Sequence, residues 1–157
     1  MKLSSRERFG LRAMVEFARR YGQGPTPLSE VARAQELSLS YLEHIVASLR
    51  RAGLLESIRG AHGGYVLAKD PAKISVGDVF RAVEGCLMPL DCMRTDGTNC
   101  AREPVCATRS VWQLISERLK ETLDNTSLAD LLEQCRSGKD PYEKATSPFQ
   151  RGYPNSF

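Results

Sequence analysis

Residues 26–68 constrain the fold most, because they read as two short helices separated by a tight break, then two short strands joined through glycines. The second of these helices is the better marked. It spans about residues 40–52: Ser40 followed three residues later by Glu43 fits a reciprocal capping pair. Leu42, Ile45, Val46 and Leu49 recur at helical spacing, and Gly53 follows as a C-terminal stop. The helix before it is expected to begin with Thr26 as N-cap and Pro27 in the first turn. It then runs through Leu28, Val31 and Ala32 to a break near residues 36–38. Residues 54–59 and 64–68 each read as a strand, with Gly60, Ala61, His62 and Gly63 as the turn. Two helices packed through Leu28, Val31, Leu42 and Ile45, followed by a hairpin, have the layout of a winged helix-turn-helix.

The flanking sequence extends this unit on both sides. Residues 5–21 carry Phe9, Leu11, Ala13, Met14, Phe17 and Ala18 at near-helical spacing and stop at Gly22, Gly24 and Pro25. Residues 75–84 form a further amphipathic helix with Val76, Val79, Phe80 and Val83 on one face. Periodicity is lost over residues 85–106 and resumes in a long helix over about 107–125. Its stripe of Val111, Trp112, Ile115, Leu119 and Leu123 is more than one small domain can cover, so it predicts packing on the same helix of a second copy. Ser127 and Asp130 start a short last helix. The polar, proline-containing residues 136–157 predict a mostly disordered tail.

The expected fold class is therefore mainly α with a small β-hairpin wing: a winged helix-turn-helix plus a long C-terminal dimerisation helix. The expected organisation is a DNA-binding domain over 1–84, a cysteine-rich loop over 85–106, and the dimerisation helix with a short final helix over 107–135. The tail follows.

Composition narrows the function classes. No stretch approaches 18 consecutive apolar residues, and no apolar signal core follows Met1, so a cytoplasmic location is expected. Five cysteines in such a protein are thiols, metal ligands or redox groups rather than structural bridges. With only His44 and His62, no nucleophile elbow and no phosphate loop, an enzyme is not expected. Residues 1–70 hold 11 Lys and Arg against 7 Asp and Glu, a balance of +4, while residues 71–157 hold 11 against 12. A basic N-terminal half suits a polyanion.

Candidate DNA contacts follow from the layout. Ser38, Ser40, Tyr41, Glu43 and His44 are expected on the outward start of the second helix of the pair. Their hydroxyls and the free N–H groups there suit phosphates, and Glu43 suits a cytosine amino group. Arg50 and Arg51, at the far end, suit phosphate. Ser57, Arg59 and the glycine-rich tip at Gly60 lie where a wing meets the backbone or a minor groove. Cys92, Cys100 and Cys106 are separated by seven and five residues. Thiolates at such spacing are open to three readings: an iron–sulfur or zinc centre, free thiols, or a redox-sensing pair. Cys86 and Cys135 read as small, partly buried residues, with Cys86 a minor ligand candidate.

Leu3-Ser4, the run from Ser38 to Glu43, Ser57-Ile58-Arg59-Gly60 and Gly63-Gly64-Tyr65 carry a resemblance to a known family. So do Val76-Gly77-Asp78-Val79 and Ala82-Val83-Glu84. Over residues 1 to about 135 the chain resembles the Rrf2 family of bacterial regulators. The resemblance implies a homodimeric transcription regulator, a repressor, that binds double-stranded DNA at a palindromic operator through Ser40, Tyr41, Glu43, Ser57 and Arg59. It also implies an iron–sulfur cluster on Cys92, Cys100 and Cys106, 2Fe–2S favoured over 4Fe–4S. Such a cluster would sense cluster supply, iron, redox state or nitric oxide. A zinc-binding or cluster-free thiol-redox regulator of the same fold is the alternative.

Two departures stand out. The first cysteine gap is longer than in the cluster-sensing members, and Arg109 stands where they place a histidine ligand. Arginine does not ligate iron, so the fourth ligand is open among Asp91, Asp96, Asn99 and Glu103, a thiol, water, or a first-helix carboxylate of the other subunit. Glu7 lies close to that last position, which Arg8 occupies.

Overall fold

Local capping chemistry fixes where the first helix, α1 (Ser5–Arg19), begins. The Ser4 hydroxyl accepts from the Glu7 N–H, and the Glu7 carboxylate accepts from the Ser4 N–H at 2.7 Å. The computed structural model describes residues 4–85 and 105–137. Cys86, Cys92, Cys100, the loop candidates Asp91, Asp96, Asn99 and Glu103, and the expected tail beyond residue 137 lie outside them. The elements that follow are α2 (Leu28–Gln35), α3 (Leu39–Arg51), β1 (Leu55–Ile58) and β2 (Gly64–Leu67). After a short 3₁₀ turn at Pro71–Lys73 come α4 (Val76–Glu84), α5 (Arg109–Asp124) and α6 (Leu128–Ser137).

The apolar faces of these elements meet in one core. Met14 and Phe17 of α1, Leu42, Ile45, Val46 and Leu49 of α3, and Val79 and Val83 of α4 are almost wholly removed from water. Each such side chain contributes about 1.5–3 kcal/mol of burial. Leu128 of α6 joins this core, so the chain returns to α1 after α5. The Leu128 N–H donates to the Ile74 carbonyl and the Val76 N–H to the Thr126 carbonyl, which seats the start of α6 beside the start of α4. Arg81 of α4 then reaches both Asp78 at 2.8 Å and Asp124 at 2.7 Å. Gly77 faces the Asp124 carboxylate so closely that a Cβ there would overlap it.

Several sequence expectations are corrected in detail. Thr26 does not cap α2. Pro27 occupies the N-cap position without a side-chain bond, and Thr26 pairs as a β-bridge with Tyr65, with both backbone hydrogen bonds at 2.9 Å. The capping pair expected at Ser40 is replaced by Ser38, whose hydroxyl accepts from the Tyr41 N–H, so α3 starts one residue earlier. Between α2 and α3 the tight break is made by Glu36 in the left-handed region (φ 54°). There the Glu36 and Leu37 N–H groups close on the last carbonyls of α2. Helix α6 runs to Ser137, two residues into the stretch expected to be tail, and Cys135 is exposed rather than partly buried.

The hairpin pairs Leu55 with Leu67 through to Ile58 with Gly64. Leu54, Leu55 and Leu67 anchor its base in the core, while Ser57, Ile58, Arg59 and Gly60 project into solvent. On α5 the expected stripe is open: Val111 and Leu114 are more than half exposed, and Trp112 and Ile115 more than a third. Only Leu123, near its C-terminal end, packs against the core.

Candidate nucleic-acid interface

Helix α3 presents a continuous outward stripe. Leu42, Ile45, Val46 and Leu49 are buried, which turns Ser40, Glu43, His44, Ala47, Arg50 and Arg51 to solvent along the opposite side. The stripe runs from hydroxyl and carboxylate at the N-terminal end to two guanidiniums in the last turn, where they also complement the helix dipole. Ser38 spends its hydroxyl on the cap, so its role at this end is to fix where the helix starts. Tyr41 differs from the expectation of a wholly outward residue. Its ring is half-buried and meets Phe9 of α1 edge-on, with centroids 5.9 Å apart. The guanidinium of Arg8 lies over the Phe9 ring at 4.7 Å from its centroid, and that of Arg12 at 5.5 Å. Arg12 also donates to the Gln35 side chain and carbonyl, tying α1 to the end of α2.

Three residues at this surface escaped the sequence reading. Leu39, the first residue of α3, is 43% exposed, an apolar group beside Ser40 suited to a thymine methyl. Arg6 and Arg8 belong to α1, which the sequence marks only as a core helix, and both are exposed near α3. An apolar or basic residue at a helix start carries no signal of which neighbour it will stand beside.

The wing is placed by Gly64 and Tyr65. The Tyr65 backbone pairs with Thr26, and its ring packs against Phe17 with centroids 6.4 Å apart. The end of the α1–α2 connection is therefore held to β2 by a single antiparallel bridge. Ser57, Arg59 and Gly60 stand out from this base, and the Ser57 and Arg59 side chains have no hydrogen-bond or ion-pair partner among the described residues.

Of the cysteine triad, Cys106 is within the described residues, just before α5. Its sulfur lies 3.5 Å from the Thr108 hydroxyl. That hydrogen bond first, then the Thr108 N–H, and lastly the N–H and charge of Arg109, hold the thiol below its ordinary pKa. Arg109 thus supplies no ligand atom but favours the ligating form of its neighbour. Glu7 is 9% exposed with its carboxylate in the α1 cap, so recruiting it as a ligand would undo that cap. The described residues contain no group of three His, Cys, Asp or Glu side chains gathered for a metal ion. Cys92 and Cys100 fall outside them.

A family profile described as "Rrf2: Iron-dependent Transcriptional regulator" matches residues 3–134. The chain is 42% identical to the HTH-type transcriptional regulator CymR of Bacillus subtilis over 142 residues, 90% of this chain and 97% of that protein. It is 39% identical to the HTH-type transcriptional regulator IscR of Serratia proteamaculans over 132 residues, 84% of this chain and 79% of that protein. Among solved structures, T. potens IscR superposes with a TM-score of 0.73 at 37% identity, covering 89% of this chain and 92% of that one. CymR of B. subtilis, described as its global cysteine regulator, superposes with a TM-score of 0.69 at 41% identity, covering 89% and 99%. These relatives are regulators rather than enzymes. No helix among the described residues is long and apolar enough to cross a membrane.

Proposed function

The chain belongs to the Rrf2 family of transcriptional regulators, and from that premise we propose that it is a cytoplasmic, homodimeric repressor whose operator binding is set by an iron–sulfur cluster. The observation that carries the cluster is the triad of Cys92, Cys100 and Cys106, together with the thiolate-favouring setting of Cys106. Cluster-sensing members of the family carry three cysteines in this segment. Bound there, a cluster would supply a redox- and iron-sensitive centre held by three thiolates. The fourth ligand comes from outside Arg109, and the cap that holds Glu7 argues against that carboxylate.

The open stripe of α5 supports the homodimer. Two-fold symmetry would then set two α3 helices about one DNA turn apart on a palindromic operator. In each half-site Ser40, Glu43 and Leu39 face base edges. Ser38 and Tyr41 fix the helix start, and Ser57, Arg59 and Gly60 meet the backbone or minor groove. Operator binding responds to the cluster only where the two cluster states favour different DNA-binding geometries.

A second reading has its own support. The 42% identity to CymR favours a regulator that works through thiols without a cluster. Anaerobic purification separates the two. Brown protein with thiolate-to-iron absorption, iron and acid-labile sulfide, lost in Cys92→Ser, Cys100→Ser and Cys106→Ser, supports the cluster. Colourless protein, with or without stoichiometric zinc, refutes it. Equal operator affinity of cluster-loaded and cluster-free protein would refute control by the cluster.

A further inference from the structure

Behind the C-terminal end of the α3 stripe, one buried hydroxyl gathers two positive charges from different helices. Ser48 is 6% exposed and lies at the contact of α3 with α1. Its oxygen stands 3.4 Å from Nη2 of Arg6 and 3.2 Å from Nη2 of Arg51, and its own hydrogen is directed at the His44 carbonyl, 3.4 Å away. Both guanidiniums are exposed. Neither has a carboxylate within ion-pair distance among the described residues, whereas Arg19, Arg20, Arg81 and Arg118 all do. Two like charges one hydroxyl apart repel each other. Each retains most of its five N–H donors, and the planar fork of such donors matches a phosphate.

We propose that Arg6 and Arg51, gathered on Ser48, form a clamp for a backbone phosphate of duplex DNA, so that α1 is part of the DNA-binding surface as well as of the core. This rests on the DNA-binding reading above and extends it to a helix that reading does not use. The position supports a phosphate rather than a base. Arg51 ends the outward stripe whose N-terminal end holds Ser40 and Glu43, and Arg6 stands beside it on the flank of the helix, where a groove wall would run. Ser48 acts as a positioning residue: it holds two flexible side chains toward one place before DNA arrives, which lowers the ordering cost of the contact.

The test is a salt titration of the full chain on a labelled mixed-sequence duplex about 30 base pairs long, which offers phosphates without an operator. Each phosphate contact contributes about 0.9 to the slope of log affinity against log salt, so a homodimer that loses one contact per subunit loses about 2. Arg6→Gln and Arg51→Gln are each expected to lower the slope by about that amount while melting like the wild type. Lys73→Gln removes an equal charge from the turn before α4 and is expected to leave the slope unchanged. Ser48→Ala keeps both charges and is expected to weaken binding at the wild-type slope, which loss of charge cannot do. A wild-type slope in Arg6→Gln overturns the clamp, and so does an equal slope loss in Lys73→Gln. Wild-type protein that does not bind the duplex at any salt would instead overturn the DNA-binding reading itself.

Discussion

Gly64→Ala tests whether the wing is held by backbone pairing with the α1–α2 connection. A Cβ on Gly64 would sit 2.5 Å from the Thr26 carbonyl carbon and 2.9 Å from the Pro27 nitrogen, and closer still to the Thr26 oxygen. All three are backbone atoms, so no side chain can rotate away. Relief requires β2 and the Thr26 backbone to separate, which breaks the two Thr26–Tyr65 hydrogen bonds of 2.9 Å. At about 1 kcal/mol each, plus the exposure of polar groups at a residue now only 4% exposed, the loss is about 2–4 kcal/mol. In a chain of this size that lowers Tm by about 5–15 °C. Gly22→Ala is the control: Gly22 has φ 81° with nothing within 4 Å, so its cost is conformational alone, about 1–2 kcal/mol. Thermal unfolding at equal protomer concentration ranks the two variants. Hydrogen exchange at the Thr26 and Tyr65 amides then reports whether the pairing has opened. Gly64→Ala melting no lower than Gly22→Ala, with both amides as protected as in the wild type, would refute the pinning of the wing.

Other perturbations probe other parts of the structure. Ser38→Ala removes the α3 cap and should cost about 1 kcal/mol, read by denaturant unfolding, with the loss of amide protection confined to the first turn of α3. Glu43→Ala should relax base preference at one position of each half-site in a selection from random duplexes, and an unchanged profile would mean that Glu43 reads no base. Asp78 is depressed below its ordinary 3.8: burial acts to raise it, but the Ser75 N–H and the Arg81 guanidinium together outweigh burial. Asp130 is depressed by hydrogen bonds from Ser127. Both folded pKa values lie below the unfolded one, so their stabilisation is present above about pH 4 and fades as pH falls through the folded values. Asp78→Asn and Asp130→Asn should each flatten the fall in Tm between about pH 5 and pH 2. Ile115→Asp places a charge in the open α5 stripe and should raise the dimer dissociation constant at least tenfold by sedimentation, with the melting of the dissociated chain little changed.

Periodicity made the helices legible, and their ends less so. The buried faces of α1, α3 and α4 are the residues that recur at helical spacing in the sequence, because one-sided burial writes that pattern directly. Thr26 satisfies the local rules for a cap, as a threonine before proline at a helix start, yet it caps nothing. Its actual partner, Tyr65, is distant in sequence and carries no local mark. Ser40 and Glu43 matched a capping pair, yet Ser38 begins the helix, since Glu36 can turn the chain in the left-handed region without a glycine. The outward residues of α3 were legible as the complement of its core face. Arg6 was not, because its place beside Ser48 depends on how α1 crosses α3. The lowered thiol pKa of Cys106 also depends on geometry, in that Thr108 and Arg109 must turn back onto the sulfur at a helix start.

Among the described residues, helix α5 is fastened at its C-terminal end. Asp124 is tied to Arg81, Thr126 and Leu128 bond to the strand-like approach to α4, and Leu123 packs against the core, while Val111, Trp112 and Leu114 nearer the other end are exposed. Mechanically it is a beam about 24 Å long, with Cys106 just before its N-terminal end. A tilt of only about 5° about the fastened end would sweep that N-terminal end through about 2 Å. Small adjustments of packing around Gly77 and Asp124 are therefore magnified where the thiol lies. Conversely, a force applied at the thiol end has a long arm over the joint between α4 and α5.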